Sequence, residues 1–288
     1  MKKTPTILLS GGLVVLLLLL FFGKTVPPGN PDAAHTNHDG HDHDEHAAFD
    51  VQNALTQAKA GLTLSQAAYI TAIENSISRG NVQEQQVKAY NQLANFWKDS
   101  AANTDLYVFY TAEAAKLVNS EKNLTFAARQ IAAAFRTEAD VDKRAWKAGQ
   151  AIELYEKAIV LNPANDSLKV EMAGCYVFGK GMAGDAAETM KGVQQLLEVV
   201  KTNPENMQAQ LLLGIGAVIS TQYDKAIERL QRVVQKQPGN LEAISWLADA
   251  YAAKGDRENA IKWYNTSKQL VNNPAFSEAV DERIKQLK

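Results

Sequence analysis

One cysteine, Cys175, is the whole thiol inventory of this 288-residue chain, so no disulfide can close within it. Histidine is almost as restricted: all five lie between residues 35 and 46, and none follows. Residues 47–288 are therefore without Ser–His or Cys–His catalysis and without histidine-ligated metal. Charge of one sign is lacking too, with 30 Lys and Arg against 32 Asp and Glu. A net charge of −2 leaves no basic footprint for nucleic acid. No carboxylate pair stands out from ordinary surface charge, so the expectation is a non-catalytic protein with no cofactor. What the chain has in quantity is apolar residues, 46% of the total. That is ample for a core even when the first 23 residues are set aside.

Those first residues carry the longest apolar run. Lys2 and Lys3 precede Ile7 to Gly23, interrupted only by Ser10, Gly11 and Gly12. Such a stretch is at the short end of what crosses a bilayer and longer than many signal-peptide cores. The residues after it, Phe21-Phe22-Gly23-Lys24-Thr25-Val26-Pro27-Pro28, make a poor cleavage site, and no cysteine follows for lipid attachment. The expectation is an uncleaved single-pass transmembrane helix over 7–23 with residues 1–6 cytoplasmic. The body would then lie outside the inner (cytoplasmic) membrane, in the periplasm where there are two membranes.

Residues 24–50 read as a disordered tether. Pro27, Pro28 and Pro31 stop a helix, and the rest offers almost nothing to bury. His35, His38, His41, His43 and His46 are interleaved with Asp39, Asp42, Asp44 and Glu45. Imidazole and carboxylate together suit zinc, nickel or copper, so a metal-binding envelope protein acting through this tether is the alternative function. Against it stand the ordering entropy of a disordered site and the lack of groups to hold its ligands in place. A solvated spacer that binds divalent metal weakly is the preferred reading.

From residue 51 the pattern is helical throughout. Over 51–120, Leu62–Arg79, Val87–Lys98 and Leu106–Val118 show apolar residues at three- and four-residue spacing. Asn123–Arg136 and Arg144–Leu161 come next, and then the sequence begins to repeat. Leu213, Gly214, Ala217, Ala226, Leu230, Val233 and Pro238 fall in register with Leu247, Ala248, Tyr251, Ala260, Tyr264, Ser267 and Asn272. Ala151, Tyr155, Ala158 and Pro163 keep the same spacing earlier in the chain, and Met172, Ala173, Tyr176, Leu196, Val199 and Pro204 form a further unit. A period of about 34 residues with small and large apolar residues at fixed offsets signals stacked helical hairpins.

This pattern resembles the tetratricopeptide repeat (TPR): a Leu-Gly pair, an aromatic, an alanine, a second aromatic and a closing proline. The resemblance implies an all-α fold, a right-handed α-solenoid of about five hairpins. The array would run over 121–274 with a degenerate repeat before it in 51–120. Val280, Ile284 and Leu287 mark a C-terminal capping helix in 275–288. Protein binding is expected along the groove lined by the first helix of each hairpin. Carrying the family's groove-facing offsets onto this chain gives Val170, Gly174, Val177 and Phe178, then Gln208, Leu211, Ile215, Val218 and Ile219, then Glu242, Ser245, Asp249, Ala252 and Ala253. The middle of that groove is apolar and lacks the Lys and Asn with which chaperone-binding members hold a terminal carboxylate. Its occupant is a partner protein, a second copy, or the chain's own Leu62–Arg79 helix.

Three motifs resolve to plain readings. Gly179-Lys180-Gly181-Met182-Ala183-Gly184 spells a dinucleotide fingerprint but comes after a helix rather than a strand, so a flexible loop is expected. Gly23-Lys24-Thr25 lacks the first glycine of a P-loop. Cys175, without a histidine to activate it, is expected to be a buried structural thiol. The function these readings imply is a membrane-tethered TPR scaffold working in cell-envelope complex assembly.

Overall fold

The computed structural model describes residues 49–79, 82–271 and 273–287, and every regular element among them is helical. Two lead-in helices, α1 (Val51–Ala60) and α2 (Leu64–Arg79), precede five helical pairs. These are α3 (Gln83–Asn95) with α4 (Thr104–Val118), α5 (Glu121–Arg136) with α6 (Val141–Leu161), and α7 (Asp166–Cys175) with α8 (Ala186–Thr202). Two more complete the series: α9 (Met207–Ile219) with α10 (Tyr223–Lys236), and α11 (Leu241–Lys254) with α12 (Arg257–Val271). The last helix, α13 (Pro274–Gln286), lies against α12. Each pair also packs on the next one along the chain. Helix α1 is an element that the sequence reading does not single out.

Helix starts are set by short polar side chains. Asn165, Asn206, Asn240 and Asn273 each accept a backbone N–H at the head of α7, α9, α11 and α13. The first three stand two residues after Pro163, Pro204 and Pro238. Each proline keeps the preceding chain out of the helical region, and the asparagine opens the next helix. Asp50, Asn103, Ser120, Asp140 and Asp185 cap α1, α4, α5, α6 and α8 in the same way. Pro274 at the first turn of α13 starts that helix ahead of Ser277, where the apolar spacing begins.

The core passes from pair to pair. Val108 and Ala112 of α4 join Leu124, Ala128 and Ile131 of α5, Ala148, Leu154 and Tyr155 of α6, and Leu168 and Met172 of α7 in one buried cluster. Val170 and Ala173 of α7 continue it with Leu196 and Val199 of α8 and Ala209 and Leu212 of α9. The α2 helix is committed elsewhere: Ile70 and Ile73 are buried with Leu93, Trp97, Leu106 and Tyr110 at the N-terminal end.

The glycine-rich segment is a correction to the expected flexible loop. It forms a π-turn over Tyr176–Lys180 and a 3-10 turn over Gly181–Ala183. A side chain at Gly179 would overlap Ala148, one at Gly181 would overlap Thr189, and Gly184 has φ +94°. Helix packing and a left-handed turn explain all three glycines. Helix α3 also ends in a π-turn, Phe96–Ser100, where the sequence suggested helix running on to Lys98.

One charge lies deep in the fold. Lys147 of α6 is 1% exposed and sits between Glu138 and Asp105, with Nζ 2.7 Å from Asp105 Oδ1. Lys143 reaches the other Asp105 oxygen at 2.8 Å. Burial pushes the Asp105 carboxyl up, but the two ammonium groups outweigh it and hold the group below its ordinary range.

Two backbone sites give testable consequences. Helices α7 and α8 meet at Gly192, where an added Cβ would stand 2.8 Å from both the Ala173 carbonyl oxygen and Tyr176 Cβ. Gly192→Ala should therefore cost about 1–3 kcal/mol. Gly216→Ala, which meets nothing within 4 Å, should gain up to about 1 kcal/mol from helix propensity. Urea unfolding of both variants checks the contrast, and equal effects would contradict the close approach. At the turn between α9 and α10, Thr221 adopts φ +59°, while its repeat counterpart Gly255 adopts φ +88°. A β-branched residue is strained there, so Thr221→Gly should raise the unfolding midpoint, by up to about 1 kcal/mol in stability.

Candidate functional site

The candidate site is the face contributed by α7, α9 and α11, the first helices of the last three pairs. Among its sequence-predicted residues, Val170, Val177, Leu211, Ile215 and Asp249 are buried. Phe178, Val218 and Ser245 are half-buried, Gln208 is exposed, and Ile219 is 53% exposed. Val170 packs with Ala173 and Leu212, with Phe178 at the edge of the same cluster. The guanidinium of Arg136 lies 6.0 Å from the Phe178 ring. Of the predicted face residues, Gln208, Ile219, Glu242 and Ala253 are thus exposed, and Phe178, Val218 and Ser245 are partly accessible. Leu211 and Ile215 lie beneath the surface.

Polar clamps tie neighbouring helices together along the array, and sequence spacing did not reveal them. Glu171 of α7 accepts two hydrogen bonds from Arg129 of α5, at 2.7 and 2.6 Å, and one from the Tyr155 hydroxyl of α6 at 2.9 Å. Tyr155 is thus more than a gap-filling aromatic: its ring is buried and its hydroxyl crosses to the next pair. Gln210 of α9 donates to the Pro204 carbonyl at 2.9 Å and accepts from Arg229 of α10 at 2.7 Å. Cys175 donates weakly to the Glu171 carbonyl, and burial pushes its thiol up to about 12. The thiolate that nucleophilic chemistry needs is suppressed.

Asp249 is the buried carboxylate of the predicted face and the most constrained of its residues. Its Oδ1 accepts from the Tyr264 hydroxyl of α12 at 2.5 Å and from Arg283 of α13 at 3.1 Å. Its Oδ2 is buried without a hydrogen-bond partner. One carboxylate therefore joins three helices while half of its acceptor capacity goes unused. Burial pushes the group up to about 6, against the opposing pull of Arg283 and Tyr264.

The five tether histidines and the expected 7–23 anchor lie outside the described residues. Among the described residues no cluster of three or more His, Cys, Asp or Glu is placed to hold a metal, and no helix is long and apolar enough to cross a membrane.

Because the folded chain holds the Asp249 proton more tightly than the unfolded chain, whose carboxyl titrates near 3.8, ionising it costs stability. That contribution is fully present below about pH 4 and is lost as pH rises through about 6, a change of roughly 3 kcal/mol. Asp249→Asn keeps an acceptor for Tyr264 and cannot ionise. Its stability should fall less than that of the parent between pH 4 and 7, as measured by urea unfolding at each pH. Parallel pH profiles would contradict this assignment.

Comparison with known proteins agrees with the repeat pattern. Residues 217–280 match the tetratricopeptide repeat family model. The chain is 42% identical over 64 residues to cellulose synthase operon protein C of Escherichia coli K12, covering 22% of this chain and 5% of that protein. It is 24% identical over 143 residues to lipopolysaccharide assembly protein B of Haemophilus influenzae, covering 49% of this chain and 35% of that one. The chain thus spans only a minor part of these relatives. Solved structures with similar folds include MamA from Desulfovibrio magneticus RS-1, at 17% identity and TM-score 0.44 over 64% of this chain and 94% of that one. A thermophilic TPR protein of Thermus thermophilus aligns at 15% identity and TM-score 0.43, over 72% and 98%. The tetratricopeptide repeat match over 217–280 falls on the helical pairs of the C-terminal part of the array, and the capped helical pairs before it follow the same plan.

Proposed function

We propose that this protein is a non-catalytic adaptor that binds a partner protein along the α7, α9 and α11 face of a right-handed TPR solenoid. The observation that carries the proposal is the accessibility of Gln208 and Ile219 on α9, a helix whose residues 209–215 are buried, with Val218 beside them half-buried. An exposed isoleucine next to a half-buried valine at the end of a packed helix offers a docking edge for an amphipathic segment. In this reading residues 7–23 anchor the chain in the inner membrane, residues 24–50 act as a tether, and the array lies in the periplasm. A relative named for lipopolysaccharide assembly supports a role in envelope complex assembly by analogy.

The test places a photo-crosslinking amino acid at Gln208, Ile219 or Val160 of the full-length protein in cells. Val160 is 80% exposed on α6, outside this face. One partner should be captured from Gln208 and Ile219 but not from Val160, and Ile219→Asp should reduce its capture at least about tenfold without loss of helicity. A product containing only this chain would replace the adaptor with a self-associating protein. Equal capture from all three positions would remove the face from the proposal.

A further inference from the structure

A second surface carries a different chemistry. Helix α2 and the end of α3 border an open, shallow cleft of about 460 Å³ lined by Ser65, Gln66, Tyr69, Gln92, Asn95, Phe96, Asp99 and Ser100. Its size falls within the range for small-molecule sites. The floor is aromatic: Phe96 is buried, and its ring centroid lies 5.8 Å from that of Tyr69, which is 47% exposed. The walls are amides, hydroxyls and a single carboxylate.

The π-turn is what assembles the site. An ordinary helix presents residues three and four apart on one face, as Gln92, Asn95 and Asp99 are. The wide turn over Phe96–Ser100, closed by Ala101 N–H on the Phe96 carbonyl at 3.2 Å, brings Ser100 to the same cleft. Turns of this kind recur at functional sites. Gln92, Asn95, Asp99 and Ser100 form no side-chain hydrogen bond or ion pair among the described residues. Gln66 uses its carbonyl oxygen on Thr63 and leaves its amide nitrogen free to donate.

The lining selects a class of ligand by what it offers. No Lys or Arg lines it, and the ammonium of neighbouring Lys98 lies over the Tyr107 ring, 5.3 Å from its centroid. Phosphates and carboxylates therefore find no counter-charge. Two rings are too little apolar surface for a lipid or a hydrophobic peptide. Hydroxyl groups, each both donor and acceptor, match paired amides and a carboxylate, and the C–H face of a pyranose ring stacks on an exposed tyrosine. We propose that this cleft binds a neutral saccharide unit, stacked on Tyr69 with its hydroxyls held by Gln92, Asn95 and Asp99. The assignment is independent of the adaptor face.

The experiment is calorimetric titration of the full-length protein with cellobiose, maltose and diacetylchitobiose, alongside glucose 6-phosphate and trilysine. At least one neutral disaccharide should bind saturably at about millimolar or tighter. Tyr69→Ala and Asn95→Ala should each weaken that binding at least about tenfold. Asn95 is exposed and Tyr69 is 47% exposed with its ring against Phe96, so the melt of Asn95→Ala should not move and Tyr69→Ala should stay folded with a lowered midpoint. Absence of saturation by every neutral sugar up to roughly 50 mM would overturn the proposal. So would equal binding of the phosphosugar, tighter binding of trilysine, or binding unaffected by both substitutions.

Discussion

Close approach at small residues is the constraint on which this array depends. A single helical hairpin has too little interior to bury its own apolar stripe, so it must share a core with its neighbours. Sharing requires helix axes near enough for side chains to interlock, and Ala148, Ala151, Ala158 and Ala173 are all fully buried where this happens. Gly179 and Gly192 take the same logic further, because their Cα positions meet Ala148 and the α7 backbone with no room for a methyl group. Where packing is that tight, volume matters more than hydrophobicity. The alanines of α5 and α6 each bury less apolar surface than a leucine would, but they permit the approach that lets the larger neighbours interlock.

Polar clamps set which surfaces meet, and they work in two electrostatic senses. Lys147 is nearly inaccessible, yet two carboxylates compensate it, so its cluster with Asp105 is stabilised by ionisation. Asp249 is buried with one oxygen unpartnered, so ionisation costs it more than Arg283 returns. Buried ion pairs seldom add net stability over apolar packing. In a stack of near-equivalent hairpins, however, apolar faces alone would tolerate sliding. The Arg129–Tyr155–Glu171 and Asp249–Tyr264–Arg283 sets join particular helices, which argues that they fix register between units.

Much of this architecture was legible in the sequence, and the exceptions have physical causes. The small-and-aromatic offsets located the pairs around Leu213–Pro238 and Leu247–Asn272 because core packing repeats with the helix. Element starts were read late wherever the first turn is polar: α3 begins at Gln83, ahead of Val87, and α6 at Val141, ahead of Arg144. Asn165, Asn206 and Asn240 after their prolines carried that information, through capping rather than hydrophobicity. The groove offsets carry no information on depth. Leu211 and Ile215 share a helix with Ile219, and only the approach of adjoining helices distinguishes a buried side chain from an accessible one. Arg129 and Glu171 are far apart in sequence, and no local pattern announces their pairing.

The two π-turns show how one local irregularity acquires different consequences. Each closes the first helix of its pair, at Phe96–Ser100 and Tyr176–Lys180, where the regular pairs turn through Thr221 and Gly255. The extra residue widens the turn and rotates the chain beyond it, so some surface must be refilled or left open. At Tyr176–Lys180 it is refilled: Gly179 lies against Ala148, Gly181 against Thr189, and the chain enters α8 through the turn over Gly181–Ala183. At Phe96–Ser100 the neighbour is α2, which brings Ser65, Gln66 and Tyr69, and the space stays an open cleft with both aromatic and polar groups along it. A turn forced by packing alone would be expected to close over apolar groups, as the second does. The first leaves amides, a carboxylate and a half-exposed ring open to solvent, so its residues are free to face a ligand as well as water.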